Sequence, residues 1–263
     1  MGRVYPAPLQ AGSTTPAAGA TPVAGSDGTL ASGWVSSDLK IAKRYSRYCT
    51  IAPYGTLVLM DGIGSISSAG LDSTNRSDSK GARCRVGDSS AATSRVYVTH
   101  NVRREEGVSQ FDMAFQLGSD ISGSTQQYFF GYSSTVSLAT TDPSGNRAML
   151  MFASGGTNWL LTTKDGTTAV TADTGVVVTA SYYYVMRLYM STAGVSAKIG
   201  RGVSLEAAIA NFLTATTTAA VSNLPTGNSD LFVVTSLQRL AASTSRYFEF
   251  FQITHTCEPT PWA

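Results

Sequence analysis

Short runs in which apolar and polar residues alternate dominate the chain from residue 95 onward. The clearest is SQFDMAFQL at 109–117, where every second position is apolar. A period of two is typical of a β-strand with one buried face, so this segment should turn Asp112, Ala114 and Gln116 outward. Similar runs predict further strands at 95–99, 126–132, 147–153, 157–163, 167–171, 182–190, 195–199, 231–237 and 247–253.

Turn residues separate these runs at short intervals. Asp165-Gly166 is typical of a two-residue type I′ hairpin, since both central residues of that turn need positive φ. Only SLEAAIANFL at 204–213 has helical character. About ten strands joined by frequent turns predict an all-β sandwich over residues 95–263.

The first 33 residues follow no such pattern. They contain four prolines among Ala, Gly, Ser and Thr, and only two charged residues. Such a segment cannot bury a core of its own, so residues 1–33 are predicted to form an extended, low-complexity anchoring arm. An extended arm can add to a sheet edge of a neighbour. Its larger side chains would then fill shallow pockets, and these are Val4, Tyr5, Leu9 and Val23.

Residues 34–94 are predicted to hold a basic amphipathic segment, one strand and a long loop. Lys40, Lys43, Arg44 and Arg47 recur at helical spacing. Two interpretations fit them: an element that docks on an acidic partner surface, or a helix or strand with a solvated basic edge. TLVLM at 56–60 predicts a buried strand, and the Gly/Ser-rich residues 61–94 predict a loop or surface insertion.

The amino-acid composition supports a β-rich domain and limits the classes of partner that the protein is expected to bind. The 263 residues include 33 Ser, 32 Thr and 25 Gly, and only 14% of them are charged. The formal net charge of +2 is too small to indicate nucleic-acid binding by charge alone. The sequence has no run of 18 apolar residues that would predict a membrane helix, and its first residues lack the apolar run of a secretory signal. We therefore expect synthesis in a cytosol.

Candidate chemistry is sparse, and we expect neither catalysis nor a cofactor or metal. His255 and Cys257 supply two ligands where a zinc site needs about four, and the only other histidine is His100. Glycoside hydrolysis needs two facing carboxylates, but Asp112 and Glu249 each have no acidic residue two or four positions away. No G-x-S-x-G or P-loop motif is present.

The order of segments in the second half resembles the concanavalin A-like lectin/glucanase jelly rolls of bacteriophage virion proteins. FFGYSS is followed by NWLLTTKDGTT, DTGVVVTAS and YYYVMRLYM, and then by LPTGNSDLFVVTSLQ and RYFEFFQI. The resemblance covers about residues 95–255 and lacks the family's hydrolase motif. It implies a jelly-roll β-sandwich behind the arm, in a homotrimeric structural protein at the virion surface. That protein would be a capsid decoration or head-fibre module, made in the host cytoplasm and bound to the major capsid protein or a fibre or tail anchor.

A receptor-binding lectin of a tail or head fibre is the alternative that the resemblance leaves open. Sugar sites on such sandwiches combine an aromatic platform with Asp or Asn partners. The candidates for a platform that recognises a host surface glycan are Tyr128, Tyr132, Asp142, Asn158 and Trp159. Each of these residues also fits a position in the core or on a sheet face.

Overall fold

The chain forms two compact units, residues 1–46 with Ala263 and residues 47–262. The computed structural model describes residues 12–13, 21–22, 47–54, 56–60, 66–69, 71–72, 84–86, 93–119, 121, 126–136, 143–153, 155–220, 222–239 and 248–259. In the first unit, β1 (Gly12–Ser13) and β2 (Thr21–Pro22) pair in parallel. The predicted anchoring residues Val4, Tyr5, Leu9, Val23, Lys40, Lys43 and Arg44 lie outside the described residues.

The second unit is built almost entirely from strands. Its first six are β3 (Arg47–Tyr54), β4 (Thr56–Met60), β5 (Ile66–Ala69), β6 (Leu71–Asp72), β7 (Cys84–Val86) and β8 (Thr93–Val102). The next six are β9 (Gly107–Leu117), β10 (Gln126–Ser133), β11 (Gly145–Phe152), β12 (Asn158–Gly166), β13 (Ala169–Val177) and β14 (Tyr183–Ser191). The last are β15 (Gly194–Gly202), β16 (Thr217–Ala220), β17 (Leu231–Arg239) and β18 (Phe248–Pro259). A 3₁₀ turn at Arg104–Glu106 precedes β9, and the helix α1 (Leu205–Thr214) follows β15.

These strands form two antiparallel sheets, which confirms the predicted sandwich. Sheet 1 has the order β13-β12-β11-β10-β17-β8-β5, and sheet 2 has the order β16-β15-β14-β9-β18-β3-β4. In sheet 2, β7 also pairs with β18, and β6 pairs with β7. The predicted strand at 56–60 is present as β4.

Two sequence predictions about local structure are wrong. Residues 61–94 are not one long loop, because β5, β6, β7 and the start of β8 lie within them and join the sheets. The sandwich therefore includes strands that precede residue 95. The hairpin at Asp165-Gly166 is not a two-residue turn either, since the last paired residues are Lys164 and Ala169. Asp165 instead closes a four-residue loop by accepting hydrogen bonds from the backbone N–H groups of Thr167 and Thr168, at 2.9 and 2.8 Å.

The core between the sheets contains many aromatic rings. Trp159 is fully buried, and its ring lies 5.4 Å from Phe130 and 5.9 Å from Phe115. The alternating pattern of the strands places these rings in the core. In β9, for example, every second residue is buried as predicted, from Phe111 to Leu117. A second, smaller apolar cluster lies on the other face of sheet 1 and contains Phe129, Met149, Met151 and Val234.

The helix α1 packs on the outer face of sheet 2 and confirms the predicted helical segment. Ser204 caps its first turn by accepting a hydrogen bond from the N–H of Ala207, at 3.2 Å. Two glycines of β15 give the helix room to approach: a Cβ on Gly200 would lie 2.3 Å from the carbonyl oxygen of Ala208. A Cβ on Gly202 would lie 2.5 Å from the Ala208 nitrogen. The helix backbone therefore rests directly on the strand.

Candidate functional site

An open groove of about 390 Å³ lies on the outer face of sheet 2. Its lining comes from three neighbouring strands, β14, β9 and β18, and from the end of α1. The lining residues are Asp112, Met113, Ala114, Val185, Met186, Arg187, Phe212 and Thr254. The groove therefore combines charged, hydroxyl, aliphatic and aromatic groups.

A polar row forms one side of this groove. Thr254, Asp112 and Arg187 are direct cross-strand partners, so their Cα atoms follow a line across three strands. The Arg187 guanidinium donates from Nε to Asp112 Oδ1 at 2.7 Å and from Nη2 to Asp112 Oδ2 at 3.1 Å. Gln110 Nε2 donates to the same Oδ2 at 2.6 Å. These contacts fix the planes of the carboxylate and the guanidinium.

The Asp112–Arg187 pair is partly open to solvent and is therefore a weak source of stability. The side chains keep 30% and 46% of their exposure, respectively. Ion pairs in such positions contribute about 0.2–1 kcal/mol. The hydrogen bonds to Asp112 raise the pKa of Arg187 above its ordinary value, so the guanidinium remains charged. An oriented, solvent-accessible polar pair of this kind is well suited to contact a ligand.

Ala114 and Val185 form an apolar floor, and an aromatic pair lies beyond them on the same sheet face. Ala114 and Val185 are cross-strand partners one row away from Asp112 and Arg187. Tyr183 occupies the following row, four residues from Arg187, so the polar row and the Tyr183 row are about 13 Å apart along the strand. The Tyr183 ring stacks on Phe251, with 5.9 Å between centroids and 13° between planes.

A β-bulge places Phe251 on this face. The pairing of β18 with β9 shifts by one residue between Phe250 and Gln252, which leaves Phe251 as the extra residue. Phe250 and Ile253 both remain buried in the core on either side of it. Without the bulge, the period of two could not keep both of those residues inward, and the ring would lose its place beside Tyr183.

The end of α1 closes one end of the groove. Phe212 lines the groove, and its ring centroid lies 5.8 Å from Arg187 Cζ and 5.2 Å from Lys198 Nζ. Cations at this range are attracted to the face of an aromatic ring. Together these features offer planar hydrogen-bonding groups, a shallow apolar floor and ring surfaces, which suit a ligand that has both hydroxyl groups and C–H faces.

The predicted aromatic platform is wrong in its three aromatic members. Tyr128, Tyr132 and Trp159 are each 0% exposed and belong to the core. They sit at inward positions of β10 and β12, where a large ring stabilises the sandwich by filling the space between the sheets. A buried ring cannot stack on a ligand from solvent.

The remaining predicted residues lie elsewhere. Asn158 is at the start of β12 in sheet 1, where its Nδ2 donates to both carboxylate oxygens of Asp173, at 3.0 and 2.9 Å. Hydrogen bonds from the Gly175 N–H and from Asn158 lower the pKa of Asp173. Arg47 begins β3, and Asp142 lies outside the described residues. The structure therefore does not assemble the predicted set into one site.

Some of the groove residues that the sequence analysis missed could have been found from the sequence. In YYYVMRLYM, the buried residues Tyr184, Met186, Leu188 and Met190 leave the intervening positions outward. That alternation alone places Tyr183 and Arg187 on one face. The sequence carries no sign, however, that Asp112 would be the partner of Arg187, because that depends on the register of β9 against β14.

His255 and Cys257 face inward on β18, with exposures of 0% and 2%. The His255 ring meets the Tyr132 ring edge-on at 5.6 Å. In the part of the chain that the structure describes, no three His, Cys, Asp or Glu residues come together in a way that would hold a metal ion. Within the same residues, no helix has the length and apolarity needed to span a membrane.

Comparison with known proteins identifies the fold but no family. No protein-family model matches the sequence, and no curated protein matches it either. Among solved structures, a protein of unknown function from Shewanella oneidensis is similar over 83% of this chain and 90% of its own, with 12% identity and a TM-score of 0.54. Arcelin-5, a lectin-like defense protein from Phaseolus vulgaris, is similar over 82% of this chain and 99% of its own, with 8% identity and a TM-score of 0.52.

The fold is a jelly roll of the kind that lectin structures have, as the sequence predicted. The same jelly roll is similar to the binding domain of botulinum neurotoxin serotype D over 81% of this chain, with 8% identity and a TM-score of 0.51. The match spans about half of that chain, 48% of its length. At identities of 8–12% these likenesses describe the jelly roll and not its activity.

Proposed function

We propose that this jelly roll is a non-catalytic carbohydrate-binding module that binds saccharides in the groove of sheet 2. The observation that carries the proposal is that the polar row of Thr254, Asp112 and Arg187 shares one sheet face with the Tyr183–Phe251 ring pair, with Ala114 and Val185 in the row between them. The carboxylate accepts hydrogen bonds from sugar hydroxyls, the guanidinium donates them, and the rings pack against C–H faces. The likeness to a lectin-like protein supports this function.

The lining of the groove supports binding without hydrolysis. Asp112 is the one carboxylate among the eight residues that line it. Glycosidases of the common retaining type use two carboxylates about 5–5.5 Å apart, and the inverting type also needs two. Incubation of bound oligosaccharides with the protein should release no reducing ends. Their release at a rate proportional to the protein concentration would contradict a purely binding role.

The test of the site compares two tyrosines on the same face of β14. Tyr183 stacks on Phe251 beside the groove, whereas Tyr189 is exposed on the other side of Arg187. A ligand is first found on a glycan array and then measured by titration calorimetry. Tyr183→Ala should weaken binding about tenfold or more, as the loss of an aromatic anchor commonly does. Tyr189→Ala should leave the affinity within about twofold.

Asp112→Asn provides the second arm, because it keeps the shape of the side chain and removes its charge. It should weaken both the Arg187 contact and hydrogen bonds accepted from the ligand, with a loss of about tenfold in affinity. Full binding by both Tyr183→Ala and Asp112→Asn would place the sugar elsewhere on the molecule. An array with no bound glycan would remove the carbohydrate-binding function itself.

We further propose that the protein is a homotrimeric structural module on the surface of a bacteriophage particle. The resemblance of the 95–255 segments to phage virion proteins supports it, and so does the low-complexity composition of residues 1–33, which cannot bury a core of their own. In this proposal residues 1–33 anchor the module to the particle. Removing residues 1–30 should leave a folded jelly roll, checked by circular dichroism, that no longer joins the particle. Unchanged occupancy of the particle by the truncated chain would contradict the anchoring role.

A further inference from the structure

The charges beside the groove are unbalanced at the α1 end. Lys198 on β15 is the direct cross-strand partner of Arg187 on β14, so the polar row continues as Thr254, Asp112, Arg187, Lys198 and Thr217. Two cations and one carboxylate lie in this row, which leaves one positive charge in excess. Like charges at directly opposed positions of a sheet repel each other, so the arrangement favours a further anion nearby.

The neighbouring rows of the outer face do not supply that anion. The row on one side contains Gln110, Tyr189 and Ser196, and the row on the other contains Ala114, Val185 and Gly200. Glu249 lies one row further, opposite Gln116, but it is buried and its register partner on β7 is Arg85. Among the described side chains, Asp112 is therefore the one carboxylate within a row of Arg187 and Lys198.

Both cations retain donors for a ligand. Arg187 uses Nε and Nη2 for Asp112, and no described residue accepts a hydrogen bond from its Nη1. Lys198 Nζ donates to the carbonyl of Leu213 at 3.0 Å, which leaves two of its three N–H groups without a described acceptor. The Phe212 ring, which lines the groove, lies within 6 Å of both charged groups.

We infer that the saccharide bound in this groove is acidic, and that Arg187 and Lys198 bind its carboxylate or sulfate group beside Phe212. This inference rests on the proposed function and adds the chemical class of the ligand. The neutral rings of the sugar would occupy the floor of Ala114 and Val185, and Asp112 would accept hydroxyl hydrogen bonds. A planar guanidinium beside an ammonium suits the recognition of an anionic group with two or three oxygens.

The experiment uses the full chain and an array of matched glycan pairs. Each pair differs only in charge: an oligouronate and its methyl ester, and a sulfated oligosaccharide and its desulfated form. The acidic member of one of these pairs should bind about tenfold tighter than its neutral partner, the value of a charge-assisted hydrogen bond. That preference should shrink as the salt concentration rises from about 50 to 500 mM, because the partly exposed charges are screened. Whichever pair shows the preference separates the carboxylate from the sulfate.

Variants of Lys198 test the assigned residue. Lys198→Met should reduce the affinity for the acidic member about tenfold while changing the affinity for its neutral partner less than twofold. Lys198→Arg keeps the charge and should retain the preference. Thermal unfolding of Lys198→Met shows whether the loss of the Leu213 contact alters the fold. The salt dependence, which is measured on the unaltered chain, tests the acidic ligand independently of any variant.

The possible outcomes separate the two proposals. Equal binding of acidic and neutral members, together with a loss in Tyr183→Ala, would overturn the acidic ligand and leave the carbohydrate-binding function intact. A preference for acidic members that persists in Lys198→Met, or that ignores salt, would overturn the assignment to this pair of cations. Failure of every array member to bind would overturn both proposals.

Discussion

Replacing Gly200 by alanine should lift helix α1 away from sheet 2 and open the end of the groove. The added Cβ would lie 2.3 Å from the Ala208 carbonyl oxygen, 2.3 Å from the Phe212 nitrogen and 2.5 Å from the Phe212 Cα. All three atoms belong to the helix backbone, so no side-chain rotation can relieve the overlap. Either the strand and the helix separate by more than half an ångström, or the helix leaves the sheet.

The packing of the helix sets an upper limit on the cost. Complete release would expose Ala208, which is fully buried, and the half-buried Leu205 and Phe212. At about 0.8 kcal/mol per buried methylene-sized group and about 1 kcal/mol for each half-buried large side chain, the loss is about 3 kcal/mol. Overpacking without release costs about 1–3 kcal/mol in other cores. We therefore expect Gly200→Ala to reduce the free energy of unfolding by about 2–3 kcal/mol.

Urea unfolding followed by circular dichroism measures this loss, and calorimetry with a glycan found on the array measures the effect on the groove. Gly227→Ala is a matched control, because the three heavy atoms nearest to its Cβ all belong to the exposed Glu105 side chain, of which Cδ is the nearest at 2.8 Å. That side chain can move, so the control should lose less than about 0.5 kcal/mol and keep its affinity. If Gly200→Ala were as stable as Gly227→Ala and bound ligand equally well, the close approach of α1 to β15 would be refuted.

Two further predictions concern the loops and the core. Asp165→Asn should lower the melting temperature at pH 7, because backbone hydrogen bonds from Thr168 and Thr167 lower the pKa of Asp165 from 3.8 to about 2. The stability that the Asp165 carboxylate contributes is present above its ordinary pKa and is lost as the pH falls through about 2. The melting temperatures of the variant and the parent should therefore converge at that pH. A difference in melting temperature that stays constant with pH would contradict the carboxylate's role. Tyr184→Phe should cost about 1–2 kcal/mol in urea unfolding, because the hydroxyl accepts a hydrogen bond from the Thr179 N–H at 2.7 Å. The exposed Tyr189→Phe is its control, and equal stability of the two variants would count against a stabilising role of this hydrogen bond.

The strands were predictable because burial of one face imposes a period of two on the residues. That rule identified the inward residues of β9, and the SLEAAIANFL segment, which does not follow it, was predicted to be the helix. It failed for residues 61–94, where strands of two to four residues are too short to show a period. It also could not separate a four-residue loop from a two-residue turn at Asp165, since the side-chain hydrogen bonds that close the loop leave no mark on the pattern.

The predicted sugar platform failed for a related reason. Aromatic residues such as Tyr128 and Trp159 are equally compatible with a core and with an exposed binding surface, and only their phase in the strand distinguishes the two. Here the sandwich is wide enough to take the large rings, and their burial stabilises it more than their exposure would. The rings near the groove on the outer face of sheet 2 are instead Tyr183, Phe251 and Phe212, each of them half-buried.

By itself, the amino-acid sequence determined that the chain forms a two-layer β fold with one short helix, because apolar alternation and turn residues act locally. It also determined which face of β14 carries Arg187. Only the tertiary structure decided that Arg187 would lie between Asp112 and Lys198, because strands far apart in the chain choose their register by packing their inner faces. The same packing produced the bulge that sets Phe251 beside Tyr183, so the groove exists as a consequence of how the core was filled.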